Sequence, residues 1–310
     1  MKDDAVAPVI AVMLILAVAV TFFAAWNAYY VPSMKAQSEI NHIKDVESGF
    51  LKFSSDIENA VSHNLKNNMR LSETIPLGGG DFTFDPVKSG GELKVWNASP
   101  DGYFRMNWTN RTGPDPASSS QSSADHNSSL VKFSYTPVNN FWQEQGYVWT
   151  YGNVYVNNTE RNLVTPLDAT TMANVTYDGL ARSLVELEPK AYSSSGDCSV
   201  IIIHVINITP DPQHAKMSGN GNGMLVLESS VDPERIANVT SINLSITAPP
   251  GRFNSTFWEY LNTTVNNTVS SCGNVYRNYP PEPTQREIQL TFNPNVTLIR
   301  ETTEITIGAY

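Results

Sequence analysis

Charged residues are scarce in this 310-residue sequence, and basic ones are the scarcest. Charged side chains make up 16% of the chain, and the 20 Lys and Arg are outnumbered by 30 Asp and Glu. Nucleic-acid binding needs clustered basic side chains that neutralise phosphates, and anionic membrane surfaces attract the same clusters. The composition therefore argues against nucleic acid as a partner. Solubility must come from uncharged polar groups, or from groups attached to them.

Sequence motifs for catalysis and cofactor binding are also missing. The chain has no P-loop, no dinucleotide-binding fingerprint, no Gly-x-Ser-x-Gly elbow and no His-Glu-x-x-His pair. Glu39 and His42 have the i, i+3 spacing of metal-binding helix bundles, but such a site needs a second copy of the pair, which this chain lacks. We therefore expect no catalytic site, no metal and no cofactor, and an anchored hydrolase is the last of three functional hypotheses.

Only two cysteines are present, Cys198 and Cys272. In an oxidising compartment they can form a disulfide, and two separate buried thiols are the alternative. Two cysteines cannot by themselves complete a structural zinc site, which takes four ligands.

The N-terminal segment, in contrast, is almost purely apolar. No Asp, Glu, Lys, Arg or His occurs between Asp4 and Lys35. The 22 residues from Ala5 to Trp26 make about 33 Å of helix, which is enough to cross a hydrocarbon core. A secretory signal peptide has a shorter apolar run than this segment. The apolar run here is also followed by aromatic residues of the kind that lie at a membrane interface. A buried core helix is the other alternative. We predict a retained membrane helix, with the rest of the chain outside the cytoplasm.

The next segment has the pattern of an amphipathic helix. Apolar residues recur at steps of three and four, which places them on one helical face. They are Ile40, Ile43, Val46, Phe50, Phe53, Ile57, Val61 and Leu65. We expect a membrane helix over residues 6–30 that continues as an amphipathic helix over 31–67, with a kink or short break at Pro32. The apolar face is expected to pack on the outer domain.

Residues 68–310 are typical of an antiparallel β-sandwich, which makes the predicted fold class α+β. Short apolar or alternating runs separated by Gly, Pro, Asn and Asp predict at least nine strands. These runs are Asp81–Phe84, Glu92–Trp96, Leu130–Tyr135, Tyr147–Val156, Leu184–Glu188, Val200–Ile208, Met224–Glu228, Ile242–Thr247, Glu287–Phe292 and Val296–Ile307. One outer domain is favoured over two halves divided near Pro166.

Some of these segments carry more specific predictions. The Val- and Ile-rich run Val200–Ile206 indicates a central strand buried on both faces. Tyr147–Val156 and residues 162–164 predict a hairpin, and Ser255–Asn262 predicts a short amphipathic helix. Leu77–Gly80 is expected to join the long helix to the first strand, and Gly113–Ser129 to be a loop.

Glycosylation sequons are the most frequent motif of the outer region. Thirteen Asn-x-Ser/Thr sequences occur after residue 96 and none before it, where composition alone would give about five. The candidate asparagines are Asn97, Asn107, Asn110, Asn127, Asn157, Asn174, Asn207, Asn238, Asn243, Asn254, Asn262, Asn266 and Asn295. Attached glycans would explain how a chain with few charges stays soluble. An Asn- and Ser-rich composition is the alternative explanation.

The segment from Asp3 to Leu14, DDAVAPVIAVML, resembles the conserved start of archaeal type IV pilin-like proteins. The resemblance covers about the first 25 residues and is weak beyond them. It implies a short leader, residues 1–5, that a prepilin peptidase removes between Ala5 and Val6. It also implies that the retained helix assembles with copies of itself or with related pilins.

The sequence therefore supports two main functional hypotheses. The first is a structural subunit of a type IV pilus-like surface filament, a major or minor pilin that serves adhesion or surface contact. The second is a monomeric, single-pass cell-surface glycoprotein with a binding β-domain. In both, the membrane is a partner and the outer domain is extracellular.

Overall fold

The computed structural model describes residues 6–62, 69–78, 89–98, 102–112, 120–138, 145–158, 163–166, 180–246, 252–278 and 286–310. A long N-terminal helix precedes a mostly antiparallel β domain, so the α+β class is confirmed. The helix consists of α1 (Val6–Ala25), a π-helical turn (Trp26–Tyr30) and α2 (Val31–Ser62). Its predicted end at Asn67 lies outside the described residues.

The π-helical turn comes immediately before Pro32. The residues at its two ends, Ala25 and Val31, keep right-handed helical dihedrals, and the Val31 N–H donates to the Trp26 carbonyl. Pro32 has no N–H, and its ring crowds the carbonyl of the preceding turn, so a locally wider turn accommodates it. Of the two distortions expected at Pro32, a kink or a short break, the break is wrong, because the helix continues through this point as a π-helical turn.

Helix α2 packs its apolar face into the core of the domain, as the stripe predicted. Val46, Phe50, Phe53 and Ile57 are each 0% exposed. The Phe50 ring lies 5.3 Å from that of Phe133 in the β sheet, between ring centroids. The predicted face is incomplete at its N-terminal end, because Ile40 is 37% exposed.

Fourteen strands in the described residues form two sheets. They are β1 (Met69–Pro76), β2 (Gly90–Asn97), β3 (Phe104–Thr112), β4 (Ser120–Ser128), β5 (Val131–Val138), β6 (Gln145–Thr150), β7 (Asn153–Asn158), β8 (Leu163–Pro166), β9 (Val185–Tyr192), β10 (Cys198–Pro210), β11 (Lys216–Gly219), β12 (Asn222–Ile246), β13 (Val275–Asn278) and β14 (Glu287–Ala309). Helix α3 (Arg252–Ser271) lies between β12 and β13 in the chain.

The first sheet has the order β4-β3-β12-β14-β10-β9, and β1 and β13 pair with β12 and β14 respectively. The second sheet has the order β11-β2-β5-β6-β7-β8. Side chains of both sheets, of α2 and of α3 belong to one hydrophobic core. Helix α2 contributes to this core by lying against β1, β6 and β7.

The prediction of a central, doubly buried strand at Val200–Ile206 is confirmed. This segment lies within β10, between β9 and β14, and Ile201, Ile202 and Ile203 are all buried. Its pairing with β14 is parallel, an exception in an otherwise antiparallel sheet.

The single run Tyr147–Val156 is two strands rather than one. Strands β6 and β7 pair across a two-residue turn in which Tyr151 has φ +52° and Gly152 φ +85°. Two central residues with positive φ are what a tight hairpin turn requires. The apolar character of the run conceals this turn. The predicted hairpin with residues 162–164 is formed by β7 alone, which pairs with β8.

One predicted loop contains a strand, and another has a different place in the chain order from the one expected. Ser120–Ser128, within the expected loop Gly113–Ser129, forms β4 and pairs with β3. Its sequence shows no apolar alternation, because most of its described side chains are exposed and polar. Backbone pairing with β3 holds the strand, together with cross-strand side-chain bonds such as that from Arg105 to Asn127. Strand β1 precedes Leu77, so Leu77–Gly80 does not connect the helix to the first strand. The predicted strand Asp81–Phe84 lies outside the described residues.

Three other elements are longer than their sequence patterns suggest. Strand β12 contains both Met224–Glu228 and Ile242–Thr247 up to Ile246, and β14 joins the two predicted strands near the C-terminus. Pro233 suggests a turn, but β12 continues through it. At this point β14 is the only described neighbour of β12, and proline in strands is typical of such edge positions. Helix α3 extends to Ser271, although its Asn and Thr residues are poor helix formers.

Candidate functional site

The exposed half of the long helix is the most distinctive surface of the molecule. Its large side chains from Val9 to Phe23 are 51–70% exposed, and the only polar side chain in α1 is Thr21, whose hydroxyl donates to the Val18 carbonyl. In the described residues this is the one helix long and apolar enough to cross a membrane, and none of its apolar window is buried in the domain. The surface therefore requires an apolar environment from outside the chain.

Aromatic side chains follow the apolar segment. Trp26 stacks on Tyr30 with ring centroids 4.3 Å apart, and Phe22 lies 6.2 Å from Trp26, so three rings follow one another at i, i+4 spacing. Tyr29 is 82% exposed. Trp and Tyr prefer the boundary between hydrocarbon and water, where a ring is buried and its polar atom stays hydrated.

Polar contacts of α2 fix the helix to the domain. The Trp149 indole N–H donates to Ser54 Oγ at 2.9 Å, and the Tyr147 hydroxyl donates to Glu47 Oε2 at 3.0 Å. Burial, followed by the Glu47 charge, raises the pKa of Tyr147, so the phenol keeps its proton. Sequence reasoning missed these contacts. The only signal was that polar residues border the apolar stripe.

Helix α2 approaches β1 closely at Gly49. A Cβ at this position would lie 2.5 Å from Ile75 Cδ1 and 3.3 Å from the Thr74 carbonyl oxygen, so a larger residue would require the Ile75 side chain to move. Glu39 and His42, the pair with metal-ligand spacing, are both buried at the N-terminal end of this contact. His42 Nε2 lies 2.9 Å from the Pro76 carbonyl oxygen, so the imidazole joins the helix to the strand end.

Within the described residues, no group of three His, Cys, Asp or Glu side chains is arranged to hold a metal ion. Each of the other described histidines, His126, His204 and His214, has its own polar partner. His204 lies beside Glu301 on the first sheet, with 3.0 Å between Nδ1 and Oε2. Burial, with Arg300 nearby, lowers the pKa of His126 to about 4.

The two cysteines are joined in the structure. A disulfide links Cys198, at the start of β10, to Cys272, directly after α3, with 5.3 Å between the Cα atoms. Asn274 lies beside it and bonds the Cys198 backbone through both ends of its side-chain amide. The bond attaches α3 to the first sheet.

The predicted leader site is only partly within the structure. Val6 is the first residue of α1, and Ala5 lies outside the described residues.

The sequons are distributed over both sheets and α3. Asn174 lies outside the described residues, and Asn254 is in the first turn of α3. The exposed sequon asparagines are Asn97, Asn127, Asn238, Asn266 and Asn295. The half-buried ones are Asn107, Asn110, Asn157, Asn207, Asn243 and Asn262.

Three of these asparagines lie on one polar face of the first sheet. Asn107 pairs with Asp125 of β4 and with Asn243 of β12, and Asn243 pairs with Gln289 of β14. The row continues to Asn278 in β13.

Asn127 is two residues along β4 from Asp125 and faces the same side, because strand side chains alternate. The face is polar because the opposite face, with residues such as Met106 and Leu244, supplies the core.

Comparison with models of protein families, with curated proteins and with solved structures found no match to this chain.

Proposed function

We propose that this protein is a structural subunit of a type IV pilus-like surface filament, assembled through α1. The observation that carries the proposal is the division of the long helix at residue 31. The α1 half has apolar side chains that are 51–70% exposed, and the α2 half is fixed to the domain by fully buried residues.

A helix that is apolar on every side suits two surroundings. In lipid it contacts hydrocarbon, and in a filament core it contacts equivalent helices, so transfer from one to the other leaves no polar group unpaired. The β domain then forms the outer surface and offers its polar face to the surroundings. The DDAVAPVIAVML start supports this proposal, because it resembles the segment that a prepilin peptidase processes.

A monomeric membrane-anchored surface protein is the competing function, and the exposed α1 fits it equally well. Mass spectrometry of the mature N-terminus, together with immunolabelling of sheared surface filaments, separates the two. We expect a chain that starts at Val6 and labelled filaments. An intact Met1, with the chain recovered only in the membrane fraction, would overturn the filament proposal and support the anchor.

Cross-linking provides a second measurement of assembly. Because Cys198 and Cys272 are paired, Leu14→Cys places a single free thiol on α1. Mild oxidation should link neighbouring chains into dimers if α1 helices pack together. Glu259→Cys, on the exposed side of α3, is the matched control and should give few dimers. Equal dimer yields from the two variants would contradict packing through α1.

A further inference from the structure

Two sequon asparagines use the amide nitrogen that a glycan would need. Asn207, in the central strand β10, donates from Nδ2 to Glu304 Oε2 at 2.6 Å and accepts from the Ser129 N–H at 2.7 Å. Asn243, in β12, donates from Nδ2 to Glu287 Oε1. Both side chains are half-buried, and each lies in a strand with a described neighbour on either side.

Two other sequon asparagines form a hydrogen bond through the amide oxygen and not through the nitrogen. In Asn127 the carbonyl Oδ1 accepts from Arg105 Nε at 2.9 Å, and in Asn266 it accepts from Arg277 Nη1 at 2.6 Å. Both asparagines are exposed, and neither Nδ2 donates a hydrogen bond within the described part of the chain. An arginine that holds the oxygen orients the amide so that its nitrogen points away from the guanidinium.

We propose that this chain carries N-linked glycans at Asn127 and Asn266 and none at Asn207 and Asn243. In the transfer, Nδ2 forms a bond to the anomeric carbon of an activated sugar phosphate. The carbon–oxygen bond to the phosphate breaks, the phosphate leaves with the bonding electrons, and Nδ2 loses one proton. The reaction needs space around Nδ2 for the sugar and for the transferring enzyme.

The contacts of the four asparagines decide where this space exists. At Asn207 a sugar would lie against the Glu304 carboxylate, while the backbone of Ser129 holds the other end of the amide. At Asn243 it would lie among the side chains of β3 and β14. A glycan added there before folding would break these contacts, so the native fold disfavours it on either route.

Asn127 lies on β4, the end strand of the first sheet among the described residues. Such an edge presents unpaired N–H and C=O groups that can pair with another chain, and charged or bulky groups usually protect it. In its described side chains β4 has no Lys and a single carboxylate, Asp125. A glycan at Asn127 would cover this edge and prevent unintended strand pairing.

Mass mapping of glycopeptides from the chain purified from its native cells tests this proposal. Peptides that contain Asn127 and Asn266 should each show a glycan mass shift, and those with Asn207 and Asn243 should have their unmodified masses. A glycan at Asn207 or Asn243 would overturn the proposal, and so would an unmodified Asn127 or Asn266. Filament assembly does not affect either result.

Two matched variants remove a sequon without changing its asparagine. Ser129→Ala eliminates the sequon of Asn127, and the intact chain should lose the mass of one glycan. Thr209→Ala eliminates the sequon of Asn207, and the mass should change only by the substitution itself. A glycan-sized loss in Thr209→Ala, or none in Ser129→Ala, would contradict the proposed assignment.

Discussion

At the scale of single residues, Asp211 anchors the last residue of the chain. Its Oδ2 lies 2.7 Å from His214 Nδ1 and accepts from the Tyr310 hydroxyl at 2.9 Å, and its Oδ1 accepts from the Gln213 N–H at 2.8 Å. The His214 and Tyr310 rings stack with centroids 3.9 Å apart. These bonds, with that to His214 the largest, lower the pKa of Asp211 to about 2. We call Asp211, His214 and Tyr310 the C-terminal clasp.

Removal of the Asp211 charge should weaken the clasp. Since the folded-state pKa of Asp211 lies below the ordinary aspartate value of 3.8, the carboxylate adds stability above that pH, and this stability is lost as the pH falls towards 2. Asp211→Asn should lower the unfolding free energy at pH 7 by about 1 kcal/mol. It should also reduce the loss of stability between about pH 4 and 2.

Urea denaturation at pH 7 and pH 3 measures both effects. Asp125→Asn, at an exposed residue of β4, is the control and should change stability little. An Asp211→Asn variant with the same acid sensitivity as the native chain would show that the clasp does not contribute.

At the scale of elements, helix α2 shows what periodicity can predict. Steps of three and four identify the face that is buried, because that face alone must leave water. The same reasoning has no signal for β4, most of whose described side chains are exposed and polar, or for the Tyr151–Gly152 turn, which lies inside an apolar run. The sequons can be read from the sequence, but the hydrogen bonds of their asparagines cannot. Asn207 and Asn243 donate to Glu304 and Glu287, which come from a strand distant in the chain.

Adjacent residues of α2 should respond very differently to substitution. Phe50 is 0% exposed and its ring contacts Phe133 and Tyr147, whereas Leu51 is 46% exposed. Phe50→Ala should lower the unfolding free energy by about 3–5 kcal/mol through the cavity it leaves. Leu51→Ala should cost about 0.5 kcal/mol or less. Chemical denaturation measures both, and equal losses would mean that α2 does not belong to the folded core.

At the scale of the whole molecule, one hydrophobic core contains residues from both the helical segment and the β segment. The sequence changes from helical to β pattern near residue 68, yet α2 supplies fully buried side chains to the same core as both sheets. The parallel pairing of β10 with β14 was also invisible in the sequence, since it joins segments about 100 residues apart. Local patterns do not specify which distant strands meet.

Two truncated chains test this shared core. A chain that begins at Val31 keeps α2 and should unfold in one cooperative transition. A chain that begins at Met69 lacks Val46, Phe50, Phe53 and Ile57, and should lose that transition because its core is open to water. Thermal unfolding followed by circular dichroism distinguishes them. A cooperative transition in both would make the β domain independent of the helix.

The π-helical turn at Trp26–Tyr30 has a geometric consequence for the whole molecule. One extra residue within a helical turn rotates everything beyond it by about 100° around the axis. For an amphipathic helix such a rotation would misdirect its apolar face, but α1 has apolar side chains in every direction. The domain therefore sets the direction of the α1 axis, whereas rotation of α1 about that axis does not change the kind of surface that it exposes. A neighbour approaching α1 meets the same kind of surface from any side.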